Sequence, residues 1–221
     1  MTNRKWIGML AFVVLVCLVS SAPSPAAVVN PGDSIVFSGA PGRDGSLTGG
    51  GGAFLITDST SGSSWYTFCL ERNEYISFGT TYKVGSVGPA AVHGGYGGGD
   101  PDPISEQTAY LYYRYVTGGL GFTGPGTAAQ QAALQYAFWF LEDELAIGTK
   151  LTDLSSLSQS YLGIADGATL GQYYGVRVVN PVYGTTAKQS QLVYVPEPGS
   201  LLLLGSGLLG LIGYRRSRRT V

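Results

Sequence analysis

A charge-free apolar run stands near each end of this chain, so whatever folds in water must be built from the residues between them. Near the N-terminus, Arg4 and Lys5 precede an apolar stretch from Ile7 to Val19, and small residues with prolines follow from Ser20 to Ala27. Basic, greasy and small segments in that order specify a secretory signal peptide over residues 1–26. Cleavage after Ala26 places Ser24 and Ala26 at the two small-residue positions, whereas cleavage after Ala22 would leave Pro23 at the new end. Cys17 follows the bulky Val16, so it reads as an apolar residue of the discarded segment rather than as an acylated lipoprotein cysteine.

The other end runs Val195-Pro196-Glu197-Pro198-Gly199-Ser200, then an apolar stretch from Leu201 to Ile212, then Arg215, Arg216, Arg218 and Arg219. A Pro-Glu-Pro, an apolar run and an arginine cluster in that order resemble the PEP-CTERM sorting tail recognised by exosortase enzymes. The resemblance implies an exosortase-type processing partner and a transmembrane helix over 200–214, at the cytoplasmic membrane. The uncharged stretch from Gly199 to Tyr214 would span roughly 24 Å at ~1.5 Å per residue, somewhat short of a ~30 Å hydrocarbon core. Tyr214 and the arginines can sit at the interface and snorkel, which makes the short span tolerable. The arginines stop transfer and face the cytoplasm, leaving residues 27–195 outside, anchored to the membrane or, after processing, at the cell surface or in the extracellular matrix.

Residues 27–195 are enough for one domain with a real core. They carry seven basic residues against thirteen acidic ones, an excess of six negative charges that argues against nucleic acid as a partner. Abundant Gly, Ser, Thr and Tyr suit an extracellular surface that meets polysaccharide or other protein. With Cys17 removed, Cys69 is the one cysteine of the exported chain. A lone thiol in an oxidising compartment implies an intermolecular bridge, a reactive site or another covalent bond.

Alternating patterns separated by glycine-rich turns predict strands over 34–38, 53–57, 65–70, 75–78 and 81–84. In the segment from Trp65 to Leu70, Trp65, Thr67 and Cys69 share one face of a strand, and Tyr66, Phe68 and Leu70 the other. The glycine-rich stretch from His93 to Pro103 reads as a loop, not a phosphate cradle, because no Lys-Ser or Lys-Thr follows it. Asp102 and Pro103 suit the N-cap and first position of a helix ended by Gly118, with Ile104, Thr108, Leu111, Tyr112 and Tyr115 inward. Thr127 and Gln130 match the capping box of a second helix, whose stripe is Leu134, Phe138, Leu141 and Leu145. A shorter third helix carries Leu154, Leu157, Tyr161 and Ile164, and strands return over 172–179 and 191–195. Strands, then helices, then strands define an α+β class: a β-rich domain with an inserted helical part.

Two local patterns resemble the halves of the bacterial thioester domain of surface adhesins. One is the aromatic-Cys pair Phe68-Cys69. The other is Leu134-Gln135-Tyr136-Ala137-Phe138-Trp139, set against the family's Thr-Gln-x-Ala-x-Trp, with Leu134 where that pattern has Thr. The resemblance implies an intramolecular thioester between Cys69 and Gln135, formed with loss of ammonia and shielded from water. A lysine amine, or less easily a sugar hydroxyl, would attack it and leave the protein covalently attached to its target, once per molecule. Phe68 belongs to the motif, Trp139 would cover the bond or simply pack in the core, and Gln107 resembles a supporting Gln of the family or is an exposed helical residue.

Other readings compete. An enzyme would need His93, the one histidine, to act as base for Cys69, but its glycine-rich surroundings offer no residue to orient it, so the chain reads as a non-enzyme. Asp100 and Asp102 lack the rest of a Ca²⁺ loop, so neither metal nor cofactor is expected. Glu142, Asp143 and Glu144 read as solvated charge at a helix end. The alternative to a covalent adhesin is a non-covalent structural protein of an exopolysaccharide matrix, with no thioester and an unknown surface protein or polysaccharide as partner.

Overall fold

A computed structural model describes residues 27–196 of the chain. The expected signal peptide, the helix over 200–214, Glu197, Pro198 and the arginines from Arg215 to Arg219 lie outside the described residues. Among the described residues, no helix is long and apolar enough to cross a membrane.

The domain is α+β. Its elements are β1 (Ser34–Gly39), β2 (Phe54–Asp58), β3 (Ser64–Thr67), β4 (Thr81–Gly88), β5 (Ala90–Ala91), β6 (Asp102–Pro103), α1 (Glu106–Val116), α2 (Ala128–Leu141), α3 (Ser156–Ala165), β7 (Val176–Tyr183), β8 (Thr186–Ala187) and β9 (Gln191–Tyr194). The main sheet runs β3-β2-β1-β4-β7-β8, with β9 also paired to β7, and all its pairings are antiparallel.

The chain leaving β3 then closes this sheet on itself. Leu192 N–H donates to Phe68 O at 3.2 Å, Leu70 N–H donates to Ser190 O at 3.1 Å, and Cys69 stands opposite Gln191 in an antiparallel bridge. Thr67 Oγ1 adds a 2.6 Å bond to Leu192 O. A segment paired to β2 through residues 64–67 and to β9 through 68–70 turns an open sheet into a barrel, which removes unpaired edge groups along that seam.

Alternation along β3 and its continuation sorts the core in two. Trp65 and Cys69 join Ile35, Phe37, Ile56, Tyr82 and Val179 in one buried cluster, whereas Phe68 and Leu70 join Leu111, Tyr112, Leu134 and Phe138 of the helices. Tyr112 fastens the helical layer to the barrel, donating its hydroxyl to Tyr66 O at 2.7 Å. The capping box of α2 forms as expected, Thr127 and Gln130 bonding each other's backbone N–H.

Several elements depart from the sequence expectation. Asp102 and Pro103 do not start α1: they pair with Ala91 and Ala90 as β6, and Ser105 is the N-cap. Ser105 wins because its hydroxyl reaches Thr108 N–H while Glu142 accepts both its N–H and its Oγ–H. The stretch 75–78 is not a strand; Tyr75 and Phe78 are exposed on the rim of a cleft. The strand expected from residue 172 begins at Val176 as β7, after Tyr173 and Tyr174 pack on the helices. The charge run is solvated only in part: Asp143 is exposed, Glu142 is half-buried, and Glu144 is enclosed. Glu144 is buried and accepts from Arg72 N–H (2.8 Å), Tyr96 N–H (2.7 Å) and Gly97 N–H (3.2 Å).

Candidate functional site

The barrel seam fixes Cys69, and α2 brings Gln135 to it. Both side chains are fully buried. The thiol donates to Gln135 Oε1 at 3.3 Å, and Gln135 Nε2 donates to the Cys69 carbonyl at 2.9 Å. A third bond comes from the glycine run Gly49–Gly52: Gly52 N–H donates to the same Oε1 at 3.3 Å. The amide is thus held at both ends, with the sulfur on its oxygen side. Burial, then the nearby Glu71 carboxylate, push the thiol's pKa well up, against smaller opposing effects of Trp139 and Arg43, so the resting sulfur is protonated.

Two groups cover the pair. A Cβ placed on Gly51 would lie 2.7 Å from Trp139 Cη2 and 2.8 Å from Gln135 Cγ, so the loop backbone rests directly on both side chains. Trp139 is buried one helical turn beyond Gln135, edge-on to Tyr136 at 5.7 Å, with Arg72 5.6 Å from its ring centroid. Outside this cover lies a cleft of ≈ 1140 Å³ lined by Gly49–Gly51, Trp139, Arg43, Arg72, Asp143 and the exposed rings of Tyr75 and Tyr96. Cys69 and Gln135 do not line it: they sit beneath its floor of glycine and indole.

The other residues singled out in the sequence divide. Phe68 points away from the sulfur into the helical layer, 5.1 Å from the Phe138 ring and 5.2 Å from Tyr115, so it pins the seam to α1 and α2. Gln107 is not at the pair: its side chain turns toward the end of α3, where its Nε2 donates to Asp166 Oδ1 at 3.1 Å. His93 is bonded to Asp100 at 3.0 Å on the surface, whereas the Cys69 thiol faces Gln135. Pro196 ends the described chain just after β9, whose neighbour Val195 donates to Gly175 O at 2.8 Å. Sequence reasoning missed the contributions of Gly51, Gly52 and Arg43. Four consecutive glycines were the available signal, hidden in a chain with 34 glycines.

Residues 195–219 match the PEP-CTERM protein-sorting motif. That motif implies export and handling by an exosortase-type enzyme. No curated protein matches the chain. Among solved structures, the N-terminal thioester domain of fibronectin-binding protein SfbI from Streptococcus pyogenes is similar at 11% sequence identity. The match covers 78% of this chain and 100% of that one, with a TM-score of 0.46.

Proposed function

We propose that this is a covalent attachment module of the cell surface or extracellular matrix, in which Cys69 and Gln135 form an internal thioester that a target nucleophile opens. The observation that carries the reading is the buried contact between the thiol and the Gln135 amide, with Nε2 held on the Cys69 carbonyl. Bond formation joins Sγ to Cδ and breaks the Cδ–Nε2 bond, and the thiol proton leaves with ammonia. The stored acyl group is stable while water is kept out, which is the work of Gly51 and Trp139. A target amine then bonds to Cδ as the C–S bond breaks, and its proton ends on the Cys69 sulfur. A hydroxyl reacts in the same way to give an ester. The protein is consumed in one turnover and acts as an adhesin, not an enzyme.

The test is the intact mass of the purified exported chain beside its Cys69→Ala variant. Beyond the substitution itself, the wild type is expected to be lighter by one ammonia. Methylamine is expected to convert it to an adduct with a free thiol. A wild type with no missing ammonia and a titratable thiol would overturn the covalent reading and leave a non-covalent matrix protein.

A further inference from the structure

Both reactions of the proposed thioester pass through a tetrahedral carbon at Gln135 Cδ with negative charge on Oε1. An enclosed site must supply a donor to that oxygen, since water is excluded. The thiol cannot be that donor, because it gives up its proton during formation and is the leaving group during opening. Gln135 Nε2 cannot either, being the group expelled.

Among the described residues, the remaining donor to Oε1 is the backbone N–H of Gly52. We infer that Gly52 N–H is the oxyanion donor of this site and that Arg43 is the strut holding it in place, an assignment that rests on the thioester reading above. Gly51 and Gly52 have the conformations that such a donor needs. Gly52 has φ +102°, a region that side chains rarely adopt, and Gly51 has no room for a Cβ against Trp139 and Gln135. Arg43 braces the loop from outside. Its guanidinium donates to Gly50 O and packs 4.8 Å from the Phe54 ring centroid and 5.4 Å from that of Phe78. Its aliphatic stem runs beside Gly52, where a Cβ would stand 3.5 Å from Cγ. The donor is therefore in place before the charge develops and needs no reorganisation when it does.

This assignment and simple shielding predict opposite signs. A loop that only keeps water out would, when loosened, let amines and water react faster. A loop that donates to the oxyanion would, when displaced, slow the reaction even though access improves.

The experiment measures the rate of thiol release by methylamine in the purified chain, wild type against Arg43→Ala and Gly51→Ala. Thermal unfolding and the starting mass establish that each variant is folded and carries the bond. A fall on the order of 10²-fold is expected for either variant, the usual effect of losing one oxyanion donor. Arg43→Ala serves should Gly51→Ala fail to fold, since it removes a brace without adding a clash. Unchanged or faster release in a folded, thioester-bearing variant would overturn the assignment and leave the loop as a shield. A wild type with no missing ammonia would instead overturn the thioester reading beneath it.

Discussion

Glu71 sits two residues past Cys69 and is 1% exposed, with Oε2 accepting from Ser190 N–H at 2.7 Å and Oε1 left without a partner. Gln191, which faces Cys69 across the seam, also has an unpartnered buried Oε1. Among the described residues no cation offsets the carboxylate, and burial pushes its pKa from the ordinary 4.5 to about 8. Well below pH 4.5 the group is protonated folded and unfolded alike and contributes nothing. As the pH rises, the unfolded chain releases its proton first while the folded chain keeps its own, so stability falls from about pH 4.5 to about pH 8 and stays lower above. Burial shifts Glu142 in the same direction, so the informative quantity is a difference between variants. Glu71→Gln is expected to flatten the loss in urea midpoint between pH 5 and pH 8 relative to wild type; equal slopes would show that Glu71 ionises freely in the fold. Cys69 and Gln135 were legible because two spaced motifs named them. Glu71 was not, because only the seam that buries it distinguishes it from a surface glutamate.

Among the elements, α2 carries the most: its start is capped, its middle presents Gln135 and Trp139, and just beyond its end Glu144 ties two loops to it. The start was readable because a capping box is local in sequence, with both partners three residues apart. The end was not, because the partners of Glu144 are backbone N–H groups of Arg72, Tyr96 and Gly97, 47 to 72 positions away. The same non-locality displaced the start of α1, where Glu142 stabilises Ser105 from another helix. These two ends should respond differently to mutation. Thr127→Ala frees one exposed helix N–H and is expected to cost about 1 kcal/mol. Glu144→Ala strands three N–H groups bonded to a buried charge and is expected to cost on the order of 3 kcal/mol. Urea unfolding of the two variants checks the order, and a loss at Glu144 no larger than at Thr127 would contradict this account of the loop anchor.

At the scale of the whole molecule, alternation along each strand was legible but closure of the sheet was not. Closure requires one short segment to pair with β2 on its early residues and with β9 on its later ones, the second being a contact across the length of the domain. Cys69 lies on that seam, and Gln135 lies on the helix laid against it, 66 positions along the chain. A thioester between them would close a loop of that length and join the helical layer to the barrel, lowering the entropy of the unfolded chain. Loop-closure arithmetic for a cross-link of this span gives a stabilisation of about 4 kcal/mol, as an upper value because strain subtracts from it. Opening by an amine removes the cross-link while leaving the same fold attached through Gln135. The methylamine adduct is therefore expected to unfold at a clearly lower urea concentration than the untreated chain, while Cys69→Ala shows no change on the same treatment. Equal midpoints before and after a complete reaction would mean that the bond adds no stability and serves only as a stored electrophile. A lower midpoint would mean that capture of a target also loosens the domain that made it.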